Sequence, residues 1–159
     1  MKTLCLGVIA LPYENAGDDA DPTKPRKRGD GSSRGSPTTT VEVATILEAK
    51  YGVMQAFYDA HKGDIEGALI NSLEGALEDI FAGAPPRDPF GEAGQDIDKA
   101  FRTFLMSGEI ETMGIEGVPT KAALERRSGR FKKKKGPEIR KSFIDTGLYE
   151  SSFKSWVDQ

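Results

Sequence analysis

A chain of 159 residues, 37% apolar and 30% charged, has room for one domain with an appended segment, and its composition suits neither a membrane protein nor a wholly disordered one. The net charge of −3 conceals two opposed blocks: residues 42–116 carry 15 acids and 5 bases, whereas residues 117–141 carry 10 bases and 2 acids. Cys5 is the only cysteine, which excludes an intrachain disulfide and a clustered-cysteine zinc site and suits a reducing compartment.

The opening, MKTLCLGVIALPY, sets one lysine before a short apolar run. It has no A-x-A-like cleavage site and falls far short of the about 20 residues that span a bilayer. A strand is expected within residues 1–13, built on Leu4, Leu6, Val8 and Ile9 and closed by Pro12. Residues 14–40 offer almost nothing to bury and are too long for an ordinary connection, so they read as an extended polar arm. Its bases Lys24, Arg26, Lys27 and Arg28 are candidate contacts of that arm. Its acids Asp18, Asp19 and Asp21 lack the alternating oxygen ligands, central glycine and terminal glutamate of a calcium loop.

Residues 41–159 read as the remainder of one domain. Val43, Leu47, Met54, Phe57 and Tyr58 keep near-helical spacing behind Thr40 as N-cap, and Gly52 weakens that helix by roughly 1 kcal/mol relative to alanine. His61, the sole histidine, lies near Asp59 and Asp64 at the expected helix end. With no second imidazole, a solvated role there is expected in place of a catalytic dyad or metal site. A second helix from Asp64 carries Ile65, Leu69, Leu73, Ala76, Leu77 and Ile80 on what reads as one stripe, ended by Gly83. A third begins near Asp96, with Ile97, Phe101, Phe104 and Leu105 on one face, and closes by Gly108 or Gly114. A short fourth follows Pro119 and Thr120, and then comes a basic loop, residues 126–141. The tail after Thr146 suits one or two helical turns and a closing strand able to pair with the first. The expected fold class is therefore α+β: three to four helices packed on a small antiparallel or mixed sheet, with a long extended arm near the N-terminus.

Chemical motifs are scarce. FIDTGLYESS presents Asp145 as an aspartic protease would, yet that chemistry needs two facing aspartates sharing a proton, and the chain before it is helical. Asp145 and Thr146 are better read as hydrogen-bond acceptors of a turn that Gly147 relaxes. Phosphate-cradling glycine loops do not occur, and the one G-x-S-x-G spacing, Gly31 to Gly35, falls in the polar stretch 14–40 without the strand-to-helix context of a nucleophile elbow. The expectation is a protein without enzymatic activity, cofactor or metal. The strongest polar signal is basic: Arg126, Arg127, Arg130, Lys132, Lys133, Lys134, Lys135, Arg140 and Lys141 crowd into the 126–141 loop. Such a run suits nucleic-acid phosphates, an acidic protein surface or plain solubility, and Phe131 alone is poor support for base stacking.

Three stretches, TTTVEVATILEAKYGVMQAFYDAHK, GVPTKAALERRSGRFK and SFIDTGLYESSFKSWVDQ, together resemble small virion proteins from the neck and tail-completion region of tailed bacteriophages (head–tail joining, tail completion or tail terminator). Such proteins often carry a D-T-G-x-L-x-x-S-like turn, of which this chain has Asp145, Thr146, Gly147, Tyr149 and Ser151–Ser152. The resemblance covers residues 38–159. It implies a virion structural protein in a homo-oligomeric ring at the neck or tail end, assembled in the host cytoplasm and partnered by its own copies and by neck, portal or tail neighbours, with no membrane. The turn would position the last strand, and no catalytic or ligand residue carries over. The basic loop would face genome DNA in the channel or an acidic ring beside it. The alternative is a nucleic-acid-binding accessory protein using residues 126–141.

Overall fold

A computed structural model describes residues 3–12, 39–125, 141–144 and 147–158. Within them the chain is α+β, with five α-helices and a two-stranded antiparallel sheet. Strand β1 (Thr3–Val8) pairs with β2 (Phe153–Asp158) in a register running from Thr3 opposite Asp158 to Val8 opposite Phe153. The closing strand expected at the tail thus meets the opening one. Alternation sends Leu4, Leu6 and Val8 to the core face together with Phe153. On the opposite face Trp156 lies over Gly7, where a Cβ would come within 2.8 Å of the indole ring. A side chain at position 7 would force that half-exposed ring to shift.

Helix α1 (Thr40–Tyr51) starts from a reciprocal cap. Thr39 Oγ1 accepts from the Glu42 N–H at 3.3 Å, and the Glu42 carboxylate accepts from the Thr39 N–H at 3.0 Å. The N-cap is therefore Thr39, one residue before the expected Thr40. Thr40 instead turns inward and is fully buried. Its hydroxyl donates to the Ile9 carbonyl and accepts the Leu11 N–H at 2.9 Å, while its own N–H donates to the Leu11 carbonyl at 2.9 Å. Thr39 and Thr40 belong to the domain, so the arm expected at residues 14–40 ends too late; its residues 14–38 lie outside the described ones, with Lys24, Arg26, Lys27 and Arg28 among them.

Gly52, at φ 58°, terminates α1 in the left-handed region and opens α2 (Val53–Phe81). The first two expected helices are thus divided at Gly52, not before Asp64. Gly52 has no side chain to cap α2, and the Glu48 carboxylate substitutes, accepting from the Met54 and Gln55 N–H groups at 2.7 and 3.2 Å. Around His61 the helix continues through a kink (φ −112°, ψ 17°). Helix α3 (Pro89–Ser107) begins well before Asp96, because Asp88 accepts the Phe90 N–H at 3.1 Å and Pro89 fits the first helical position. Gly108 (φ 76°) ends it. A 3-10 turn (Glu109–Thr112), α4 (Lys121–Leu124) capped by Thr120, and α5 (Leu148–Ser152) complete the described elements.

The core lies where α2, α3, α5 and β2 converge. Phe57, Phe101, Phe104 and Phe153 are fully buried there with Ile97, Leu105 and Ile110. Phe101 stacks on Phe153 (centroids 3.8 Å, 14°) and meets Phe57 edge to face at 5.2 Å.

Candidate assembly surface

Helix α2 is apolar on more than the flank it buries. Ile65, Ser72 and Ala76 are buried, and Leu69 packs partly against the core. Ile70, Leu73, Leu77, Ile80 and Phe81 are instead 55%, 43%, 52%, 54% and 88% exposed. At about 3.6 residues per turn these two sets are neighbouring strips of one apolar arc covering about half the helix circumference. One packed helix, α3, covers one flank of such an arc and leaves the other as a ridge. The single stripe expected from sequence is therefore two, and Leu73, Leu77 and Ile80 belong to the exposed one. A contiguous row of large apolar side chains on the surface makes this ridge the candidate contact surface of the described residues.

The basic candidates fall mostly elsewhere. Arg126, Arg127, Arg130, Lys132, Lys133, Lys134, Lys135 and Arg140 lie outside the described residues, as do Asp145 and Thr146. Lys141 is described: its half-exposed ammonium sits 3.9 Å from the Glu111 carboxylate. Gly147 holds φ 76° as N-cap of α5, a conformation that favours glycine, and so provides the turn into the last helix and strand.

His61 departs from its expected place. It sits inside α2 at the kink, its Nδ1 3.0 Å from Asp64 and its Nε2 3.2 Å from Glu109, with its ring against Phe57 and Phe104. It ties the helix to the 3-10 turn. Its two nitrogens face carboxylates on opposite sides, so the three groups do not converge; among the described residues no three His, Cys, Asp or Glu side chains are grouped to hold a metal ion. A cleft of about 430 Å³ between β1 and α1 is lined by apolar residues such as Val8, Val41, Ala44 and Met54. Its one ionisable lining residue, Glu48, is already engaged in capping α2. No helix among the described residues is long and apolar enough to cross a membrane.

No family model matches the chain, and no curated protein or solved structure is similar to it. Its own surfaces are the guide to its role.

Two polar residues went unnoticed in the sequence. Asp98 on α3 is buried, and its carboxylate accepts from Lys154 Nζ at 2.8 Å and the Ser155 N–H at 2.9 Å. The available signal was its position, one turn before Phe101 and two before Leu105 on the core stripe. Glu150 on α5 has its Oε2 buried without a hydrogen-bond partner among the described residues. Burial pushes its carboxyl above the usual range, partly offset by the Arg102 guanidinium. A raised carboxyl pKa means that the folded state holds the proton more tightly, so this stabilising contribution is complete below the ordinary value of 4.5 and is lost as pH rises through the folded pKa. Glu150→Gln should therefore match its parent near pH 4 and melt at a higher temperature than the parent at pH 7, a difference thermal melts at the two pH values would check.

Proposed function

We propose that this chain is a structural subunit of a tailed-bacteriophage virion, working as a homo-oligomeric ring at the neck or tail end and acting through surfaces it offers to its neighbours. The observation that carries the assembly role is the exposed ridge Ile70, Leu73, Leu77, Ile80 and Phe81, which needs another protein surface to leave water. The resemblance of the three stretches within residues 38–159 supports the virion setting, and the opposed acidic and basic blocks suit contacts between unlike faces of neighbouring copies.

Native mass measurement should give a multiple of the 17.3 kDa chain, and the protein should be found in purified particles. Leu77→Glu combined with Ile80→Glu should shift the assembly toward monomer, raising the dissociation constant by at least about tenfold through two charges placed in an apolar contact. Because both side chains are exposed in the single chain, the melting temperature of the monomer should hardly move. A wild-type chain that stays monomeric at every concentration and is missing from virions would defeat the proposal. Salt-sensitive duplex binding lost on converting Lys132–Lys135 to alanine would favour the nucleic-acid reading instead.

A further inference from the structure

The exposed ridge of α2 has a mainly acidic border, with Lys62 beyond its N-terminal end 3.8 Å from Glu66. Between Lys62 and Arg87 the chain has five acids, Asp64, Glu66, Glu74, Glu78 and Asp79, and no base. Asp79 is committed to Arg87, whose Nε lies 2.9 Å from its carboxylate. Glu66 stands one turn before Ile70 in line with the ridge, and Glu74 borders its outer flank, both exposed. Two copies packed ridge to ridge about a two-fold axis would bring Glu74, near the ridge's midpoint, against its own counterpart. Like charges at a helix contact oppose that pairing. The ridge calls for an apolar surface with a basic border.

The chain itself contains such a segment. Residues 126–141 hold nine bases and one acid, together with Phe131 and Ile139. Lysine and arginine lay their methylene stems along apolar surface while their heads reach carboxylates at its edge. The segment of the same copy cannot run the full length of the ridge, because Ile80 and Phe81 at its far end lie beyond its reach. Its tethers lie together, since the Thr120 N–H before α4 donates to Ser142 Oγ at 3.1 Å. Lys141 contacts Glu111 in the 3-10 turn, whose Glu109 reaches His61. From His61 the ridge extends along α2 from residue 70 to residue 81, roughly 14 to 30 Å away at the helical rise. An excursion of residues 126–140 held at both ends reaches at most roughly 25 Å out and back.

We infer that the acid-bordered ridge of α2 receives the basic segment 126–141 of a neighbouring copy, a pairing that rests on the ring reading above and supplies its head-to-tail contact. Ridge and segment are different patches, so each copy offers one and uses one; the contact propagates and closes where its rotation permits.

Charge exchange tests this. One chain carries Glu66→Lys with Glu74→Lys; a second carries Lys132→Glu, Lys133→Glu, Lys134→Glu and Lys135→Glu. Each alone should lose association at least tenfold in sedimentation velocity while melting at the parental temperature. Mixed in equal amounts they should reassemble, because the basic ridge of the first takes the acidic segment of the second, and the unaltered ridge and segment pair as well. Either variant assembling alone like wild type, or a mixture of folded variants that fails to recover, overturns the pairing. Wild-type rings that ignore both charge reversals would discard this contact and leave the ring; a monomeric wild type would remove both.

Discussion

Truncating Phe101 to alanine is expected to lower the free energy of unfolding by about 4 kcal/mol, the middle of the range for a buried aromatic. Phe101 has no exposed surface and stands on α3 where α2, α5 and β2 meet it. Its ring is stacked on Phe153 of β2, lies edge to face with Phe57 of α2, and meets Tyr149 of α5 at 6.1 Å. Removing it deletes its transfer free energy and opens a cavity that rigid α2 and α3 cannot both close. For a domain of this size the melting temperature should fall by about 8–16 °C. Phe101→Leu, which keeps most of the volume, should cost about half as much or less. Equal costs for the two, read from denaturant melts, would show that the ring stacking and filling assigned to Phe101 are not what holds the core.

The second large effect is expected at Asp98. Its carboxylate is 4% exposed and anchors β2 to α3 through the Lys154 ammonium, the Ser155 N–H and the Ser155 hydroxyl at 3.1 Å. The strand sits so close that Ser155 Oγ also reaches the Gly94 carbonyl at 3.0 Å, where a Cβ on Gly94 would lie 3.2 Å from it. Asp98→Ala leaves the part-buried Ser155 N–H and the Lys154 ammonium without their acceptor and should cost about 2–3 kcal/mol, as loss of charge-assisted bonds does. Asp98→Asn keeps an acceptor for Ser155 and should cost less, about 1–2 kcal/mol. Lys154→Met should be milder still, because nearly half of that lysine side chain is already solvated. A reversed order, with Lys154→Met the most damaging, would mean that the ion pair and not the strand anchor carries the stability.

Much of this architecture was legible from local chemistry. The alternation of Leu4, Leu6 and Val8 marked the first strand, the spacing of Ile97, Phe101, Phe104 and Leu105 marked the buried face of α3, and Thr120 marked the start of α4. The errors occurred where one residue could serve two purposes. Gly52 is tolerable within a helix and excellent at its end; its left-handed conformation, with Glu48 taking over the cap, decided for the end. Thr39 and Thr40 are equally good caps by type, and the choice fell to Thr40's burial against Ile9 and Leu11. The exposed ridge was visible as apolar spacing and misassigned in kind, because periodicity tells that Leu73, Leu77 and Ile80 share a side of α2 but not how much of that side α3 can reach. Asp98 was missed since a carboxylate on a charged-looking helix gives no sign of the strand that will return 57 residues later to use it.

The knot of hydrogen bonds at Thr40 has an implication for what precedes it. Pro12 faces Thr39 in an isolated antiparallel bridge, and Ile9 and Leu11 are bound to Thr40, so positions 12 and 39 are joined at nearly one point. The length of an excursion whose two ends are already joined enters its closure entropy only logarithmically, about 0.6 kcal/mol for each doubling. The bonds of Ile9, Leu11 and Pro12 to Thr39 and Thr40 thus fasten the end of the first strand to the start of α1 directly, and a change in the number of residues between positions 12 and 39 should alter that closure entropy by no more than this logarithmic amount.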